Sequence, residues 1–249
     1  METKFRSAKQ GRITLKVEAQ RTHAVYSRLR DMIIGKEFPV GAKLKQAEIA
    51  RRLSASRTPV VNALHKLESE GLVDSAPHKG FFVHRVSVKE LYDLFSIRKA
   101  LDAVVITDLV YSLRDGQIEE LFSLFEPFRE QGVIDAAAYR MADIAFHSYL
   151  IDNCTNGLAK RINQAFNILN RSYMAGLIRS PHETLAEHLE IINAIRKRDL
   201  PRAKLAMASH IEKTLQMLQT TVMNLQAIGV NPESIPVDEL RELQADSEK

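Results

Sequence analysis

Four residues in the second half of the chain have the types and the spacing to bind a metal ion. Asp143 and His147 are four residues apart, so on a helix their side chains share one face, one turn apart. His188 and His210 each lie 11 residues from Asp199. If the chain turns at Asp199 into a helical hairpin, both imidazoles lie about 16 Å from the turn and meet across it. Three histidines and one carboxylate suit Zn, Ni or Mn.

A plainer interpretation is that these are separate surface or core histidines, because Asp/His pairs at this spacing are common by chance. The spacing alone leaves both interpretations open. A metal-dependent hydrolase is a further alternative, but His182-Glu183 is followed by Ala186 where the zinc-protease motif needs a second histidine. The nucleophile motif Gly-x-Ser-x-Gly does not occur. The sequence therefore favours a protein that is not an enzyme.

The elements that must position these side chains are helices. Ser87-Val88-Lys89-Glu90 is typical of a capping box that opens a long helix running to about Leu113. The periodicity predicts further helices near residues 115–131, 135–152, 156–179, 183–198 and 201–227, with Asp115, Asp135, Thr155 and Asp199 as caps. We expect an all-α antiparallel helical bundle over residues 87–228, followed by a polar tail at 229–249.

The first third of the chain has a different pattern. Residues 1–20 lack periodicity and are expected to form a flexible arm. Residues 21–86 read as a helix ending at Gly35, a short helix from about Gln46 to Leu53, a break, and a third helix capped by Ser56 and stopped at Gly71. Short β-like runs at 72–74 and 81–83 flank a basic turn. The fold class is therefore mainly α, an N-terminal winged helix-turn-helix followed by the helical bundle.

In a helix-turn-helix, the exposed start of the second helix meets base edges and phosphates in the major groove. A hairpin tip with a lysine and a glycine would act as a wing that contacts the DNA backbone. The residues expected to contact DNA are Lys45, Gln46, Ser56, Arg57, Thr58, Asn62, His65, Lys66, His78, Lys79 and Gly80.

The charge is distributed as a DNA-binding segment requires. Residues 1–86 hold 17 Lys and Arg against 8 Asp and Glu, whereas residues 87–249 hold 18 against 23. A basic first third favours double-stranded DNA as its partner. A DNA-packaging, architectural protein without an effector is the alternative, and the pocket that the second domain could build argues against it.

Composition excludes several classes of protein. Hydrophobic residues make up 45% and charged residues 27%, which is ordinary for a globular chain. No run approaches the ~20 apolar residues of a membrane-spanning helix, so no membrane partner is expected. The basic N-terminus is not a secretory signal, and the single cysteine, Cys154, favours a reducing compartment. We therefore expect a cytoplasmic protein.

The run from Ser54 to Leu64 (SASRTPVVNAL), with Gly71-Leu72-Val73 and Gly80-Phe81-Phe82-Val83, resembles the winged helix of GntR-type bacterial transcription regulators. The helical part resembles the FadR-type (FCD) effector domain of the same superfamily, and the likeness covers about residues 20–225. Val61-Asn62 stands where relatives usually carry Arg-Glu. The operator sequence therefore cannot be transferred from relatives.

The resemblance implies a ligand-responsive regulator, more often a repressor, that binds a pseudo-palindromic operator as a homodimer. A large subset of such effector domains binds metal through Asp-x3-His…His…His, which corresponds here to Asp143, His147, His188 and His210. The expected effector is a small organic acid, sugar acid or amino acid. Related domains place an arginine near Arg98 against a ligand carboxylate, and the alternative here is a solvated arginine paired with Asp102.

Overall fold

The structure is a computed structural model that describes residues 20–130, 132–175 and 178–239. Its contacts divide the chain into two units between His84 and Arg85. Most of the predicted arm, and the tail from residue 240 onward, lie outside the described residues. No described helix is long and apolar enough to cross a membrane.

The described part of the first unit, residues 20–84, has three helices and a small antiparallel sheet with strand order β1-β3-β2. Its elements are α1 over residues 20–34, β1 (Lys43–Leu44), α2 (Gln46–Arg52), α3 (Arg57–Ser69), β2 (Val73–Ala76) and β3 (Gly80–Val83). The inner face of α3 is formed by Val60, Ala63, Leu64 and Leu67, all at 0% exposure. This is the face that helical spacing predicts.

The hairpin of β2 and β3 pairs Val73 with Val83 and Ala76 with Gly80. β1 was not predicted, and its Leu44 pairs with Phe81 on the other side of β3. A strand of two residues is too short to show the alternation by which strands are recognised.

The second unit is built from helices. They are α4 (Val88–Ser112), α5 (Asp115–Ser123), a 3₁₀ turn (Glu126–Phe128), α6 (Ala136–Asn153), α7 (Gly157–Phe166), α8 (Ile168–Met174), α9 (Pro181–Arg196) and α10 (Leu200–Ala227). The predicted fold class, a winged helix-turn-helix followed by a helical domain, is confirmed.

Two predicted helices are shorter than expected. The helix near 115–131 ends at Ser123 and is followed by the 3₁₀ turn. The helix at 156–179 breaks at Asn167, whose φ of 49° is left-handed, and α8 ends at Met174. Asparagine is one of the few residues that adopt this conformation readily, so the apolar periodicity on both sides of the break conceals it.

Three predicted caps are confirmed, since the side chains of Ser87, Asp135 and Asp199 accept hydrogen bonds from first-turn amides. Two are wrong. Arg114 occupies the cap position of α5, and Asn156 caps α7 in place of Thr155. Ser56 stands at the cap position of α3, but its side chain makes no capping hydrogen bond.

The core of the second unit lies where α4 packs against α10, α9, α8 and α6. Ile106, Leu109 and Val110 of α4 are at 0% exposure, as are Ile191 and Ile195 of α9. Each completely buried apolar side chain of this size contributes about 1.5–3 kcal/mol relative to an exposed one. The strong packing fixes the helices that carry the four candidate ligands and Arg98.

The predicted polar tail is in part a buried segment. After α10 the chain turns at Gly229, whose φ is 76°, and Val237 is only 7% exposed. The N–H of Val237 donates to the carbonyl of Val86 at 3.0 Å. The residues between Gly229 and Val237 show neither helical nor alternating periodicity, so the sequence does not predict this packing.

Candidate functional site

The structure brings the four candidate metal ligands into one buried cluster. Asp143 and His147 lie one turn apart on α6, and the α9–α10 hairpin places the ring centroids of His188 and His210 4.6 Å apart. The His147 ring lies 5.4 Å from each of the other two. One nitrogen from each histidine falls within 4.8 Å of the others, so the cluster could hold a metal ion.

Polar atoms of the cluster point at one another and lack hydrogen-bond partners. The Oδ1 atom of Asp143 lies 3.1 Å from His188 Nε2 and 3.6 Å from His147 Nε2. Although these atoms are close, Asp143 Oδ1, His188 Nε2 and both ring nitrogens of His147 are buried without a hydrogen bond of acceptable geometry. Buried polar atoms are normally hydrogen-bonded, and a divalent metal is a partner that oxygen and imidazole nitrogen both accept. The residues present therefore fit a metal ion.

Outside the cluster, two residues orient the imidazoles. His188 Nδ1 lies 3.0 Å from the Tyr139 hydroxyl, to which Thr184 Oγ1 donates at 3.0 Å. His210 Nδ1 lies 2.8 Å from Glu187 Oε2. When Nδ1–H donates to these oxygens, the Nε2 lone pairs are left facing the cluster, which is the usual outer-shell arrangement of metal-binding histidines.

Glu187 is held as a carboxylate by three neighbours. Burial raises the pKa of Glu187, but hydrogen bonds from His210, Arg179 and Lys213 lower it by a larger amount. The pKa of Glu187 is therefore below its ordinary value. Arg179 donates to both carboxylate oxygens at 2.8 and 2.7 Å, and Lys213 donates at 2.6 Å. The sequence analysis missed Glu187 and Tyr139. Equal distance from the turn does not find Glu187, because a residue one position before His188 points about 100° away from it on the helix.

Two of the three histidines, His147 and His210, are neutral at neutral pH, as metal ligands must be. Burial lowers the pKa of His210 to about 4. Burial, and then the charge of Arg98, hold the pKa of His147 well below 6.5. Burial raises the pKa of Asp143, but the His188 ring, whose Nε2 lies 3.1 Å from Oδ1, and the charge of Arg98 bring it below its ordinary value. The donor set therefore combines the Asp143 carboxylate with imidazoles, of which those of His147 and His210 are neutral at neutral pH.

Arg98 lies beside the cluster and is 2% exposed. Its Nε donates to Asp102 Oδ2 at 3.2 Å, and its Nη2 lies 3.5 Å from the Tyr173 hydroxyl. The pairing with Asp102 is thus present, but the arginine is buried rather than solvated. A cavity of about 30 Å³ is lined by Arg98, Asp143, Arg179 and His210, among others. That volume accommodates water and is too small for an organic acid.

The candidate DNA contacts lie mainly at the start of α3. Arg57, Thr58 and Asn62 are exposed, as are Ser56 just before the helix and Lys45 just before α2, while Gln46 is half-buried. Because the opposite face of α3 carries the buried apolar residues, these polar side chains form its outward face. Sequence reasoning therefore separated the two faces of α3.

Two of the candidate residues make contacts within the unit. His65 Nδ1 lies 3.0 Å from Glu68 Oε2, and its ring meets the edge of Phe81 at 5.0 Å. Lys66 Nζ lies 3.8 Å from the centre of the Tyr26 ring of α1. Both side chains connect α3 to neighbouring elements. To contact DNA, each must either break these contacts or contact DNA while keeping them.

The hairpin tip has a strained, exposed backbone. His78 and Lys79 are exposed, and φ is 60° at His78 and 97° at Gly80. A Cβ at Gly80 would meet only Lys43 Cε, at 3.7 Å, so glycine is required by its backbone conformation and not by crowding. The tip presents Lys79 at the end of the β2–β3 hairpin, as a wing would.

A winged helix-turn-helix joined to a helical unit with a buried polar cluster defines a DNA-binding transcription regulator. Residues 21–83 match the sequence profile of bacterial regulatory proteins of the gntR family, and residues 93–213 match that of the FCD domain. A HTH-type transcriptional regulator in an unstable DNA locus of Streptomyces ambofaciens is 32% identical over 191 residues, 75% of this chain and 80% of the relative. The chain belongs to the GntR family, with an FCD domain.

Two further comparisons agree with the family assignment. The HTH-type transcriptional repressor RspR of Escherichia coli is 26% identical over 195 residues, 76% of this chain and 85% of the relative. The solved structure of McbR/YncC from Escherichia coli has a TM-score of 0.68 at 21% identity, covering 81% of this chain and 98% of that one. The protein is therefore a DNA-binding transcription regulator, and its family consists of regulators and not of enzymes.

Arg57→Ala should weaken binding to the duplex that the wild-type protein selects from a random-sequence library by roughly 10- to 100-fold, because one arginine contact to a base is lost. Fluorescence anisotropy measures the affinity. Arg129→Ala, which removes an exposed arginine from the second unit, is the control. Equal affinities of the two variants would contradict a DNA-contacting role for Arg57.

Glu187→Gln should lower metal affinity by roughly 10- to 100-fold, because His210 loses the carboxylate that orients its ring. Competition with a chromophoric chelator measures the affinity. Glu190→Gln, on the same helix but paired with Arg202 at the surface, is the matched control. A metal affinity unchanged by Glu187→Gln would mean that the carboxylate does not position His210.

Proposed function

We propose that this chain is a homodimeric cytoplasmic repressor whose binding to operator DNA is controlled by a small carboxylate at a metal-containing pocket. The observation that carries the proposal is the cluster of Asp143, His147, His188 and His210, whose buried donor atoms lack hydrogen bonds. Zn, Ni and Mn suit a set of three imidazoles and one carboxylate. The metal, when bound, would supply a Lewis-acidic centre for an oxygen of the ligand.

The chain's own residues would recognise the rest of the ligand. The charge of Arg98 faces the cavity beside the cluster, where a carboxylate of an organic acid, sugar acid or amino acid would pair with it. Tyr173 and Asp102 now hold Arg98, so the ligand must compete with contacts that already exist. Arg98 is the effector-binding residue in this proposal.

We infer that the second unit adopts another arrangement when the effector binds, because the cavity beside the cluster is small. A space of about 30 Å³ admits no organic acid, so the side chains around it must move when the effector binds. A ligand that binds one arrangement more tightly shifts the population toward it. Operator binding changes if the two arrangements hold the winged units of a dimer at different spacings. Relief of repression by the effector is the proposed outcome.

DNA binding would use the residues named above. Arg57 and Asn62 would read base edges from the start of α3, with Ser56, Thr58 and Lys45 at phosphates. Lys79, between His78 and Gly80 at the hairpin tip, would contact the backbone as a wing. Gln46, His65 and Lys66 complete the proposed interface.

Exposed apolar side chains of the second unit support a homodimer. On α4, Ile97, Val104 and Tyr111 are 55, 44 and 68% exposed and are spaced by seven residues, which is the spacing of a helix–helix seam. On α7, Leu158 and Phe166 are 58 and 62% exposed. Aligned apolar side chains exposed on neighbouring helices are typical of interfaces. We propose that these faces of α4 and α7 pack against a second copy.

The metal proposal is tested by replacing His188 and His210 together by Gln, which keeps most of the buried volume. The double variant should lose the metal that the wild-type protein retains after gel filtration, because two of four ligands are gone. Inductively coupled plasma mass spectrometry measures the metal content. His182→Gln, an exposed histidine on α9, is the control and should retain it. Undiminished metal in the double variant would contradict the proposed site.

The dimer proposal is tested by Val104→Asp. A charge in the middle of the α4 seam should convert the dimer to a monomer, because an unpaired charge would be buried in the interface. Analytical ultracentrifugation measures the mass. The control is Leu205→Asp on α10, where the leucine is 71% exposed and outside the proposed seam. The proposal fails if the wild-type protein is a monomer or if Val104→Asp remains a dimer.

A further inference from the structure

The segment after α10 folds back on the start of α4, and residues 230–239 are called the strap below. The N–H of Val237 donates to the carbonyl of Val86 at 3.0 Å, and the N–H of Val88 donates to the carbonyl of Ile235 at 3.0 Å. Ser87 forms an antiparallel β-bridge with a proline between these two strap residues. The strap therefore pairs with residues 86–88, directly after the division between the two units.

The strap also completes the N-terminus of α4. The first amides of a helix have no intrahelical acceptor and need one from elsewhere. Val88 donates to the strap carbonyl of Ile235, and Lys89 donates to that of Pro232 at 3.4 Å. Glu90 donates to the Ser87 hydroxyl at 3.1 Å. Two of the first three amides of the long central helix thus depend on a segment from the far end of the chain.

Apolar burial anchors the strap. Val237 is 7% exposed, against 3% for Val86 and 0% for Val88, and Pro232 is buried. The ion pair between Arg85 and a strap glutamate at 2.8 Å is exposed and adds little. A surface tail would show neither the buried valine nor the paired backbone.

The position of the strap gives it a role that neither family match covers. The matched regions are residues 21–83 and 93–213, so the strap and residues 85–88, called the linker below, both lie outside them. The linker is where the chain passes from the winged unit into α4. If the strap released the linker, the linker residues would gain backbone freedom. That freedom would be lost again when two winged units bind one operator, and the loss would weaken binding.

We propose that the strap is a positioning element for the linker, so that tight operator binding depends on residues 230–239 although they lie outside the winged unit. The dependence on the operator rests on the proposed dimeric repressor. The pairing of strap and linker does not, and it can be tested on the metal-free monomer or dimer alike.

The test compares Val237→Asp, which places a charge at the buried anchor, with Ile228→Asp, where the isoleucine is 73% exposed at the end of α10. Hydrogen exchange with mass spectrometry should show the amides of Val88 and Lys89 exchanging at least about tenfold faster in Val237→Asp and unchanged in Ile228→Asp. Affinity for the duplex that the wild-type protein selects should fall by about tenfold or more in Val237→Asp alone. Metal content and helical circular dichroism should stay unchanged.

Two results would overturn the proposal: unaltered exchange at Val88 and Lys89, or accelerated exchange with unaltered operator affinity. If Val237→Asp does not fold, a chain ending at Gly229 replaces it with the same expectations. The proposed function would be contradicted if the wild-type protein bound no metal or were a monomer. The exchange measurement would still decide whether the strap holds the linker.

Discussion

The cost of burying polar atoms without hydrogen bonds is the constraint on which the second unit depends. Asp143 Oδ1, His188 Nε2 and both ring nitrogens of His147 are buried and unpartnered. Each such atom costs roughly 1–3 kcal/mol, and a whole domain is stable by only about 5–15 kcal/mol. A cluster of this kind is a large burden on the metal-free protein, and a divalent ion bound by Asp143 Oδ1, His188 Nε2 and one ring nitrogen of His147 would remove most of it. The burial of these atoms therefore supports the proposed metal site.

The elements that carry the cluster are fixed by a cap, a turn and two hydrogen-bonding neighbours. α9 and α10 are joined at Asp199, whose side chain caps α10, and this turn sets the level at which His188 and His210 meet. The ionised Glu187 holds one imidazole and Tyr139 holds the other. Metal ligands are held most precisely when rigid elements carry them, and the candidate ligands here sit on helices and not on loops.

Much of the site could be predicted because it depends on regular helices. The α-helical rise converts equal distances from Asp199 into equal heights, and so the meeting of His188 with His210 follows from counting residues. The two faces of α3 follow from the same periodicity. The outer contacts were missed because Glu187 and Tyr139 depend on side-chain directions across helices, which sequence spacing does not give.

Features that depend on single residues or on distant pairing were not predictable. The break at Asn167 is one left-handed residue within a continuous apolar pattern, and β1 is two residues long. The pairing of Val237 with Val86 joins segments at opposite ends of the unit without any periodicity. Arg98 was assigned to the pocket region, but its burial depends on the packing of α4 against α8, which spacing along one helix does not reveal.

The most direct test of the account is the thermal unfolding of metal-loaded and chelator-stripped protein against a panel of small carboxylates. A ligand that binds only the folded protein raises its melting temperature by mass action. The account predicts that stripping the metal lowers the melting temperature, and that at least one carboxylate raises it in the metal-loaded protein alone. No effect of stripping and no shift with any carboxylate would contradict it, and the cluster would then be structural.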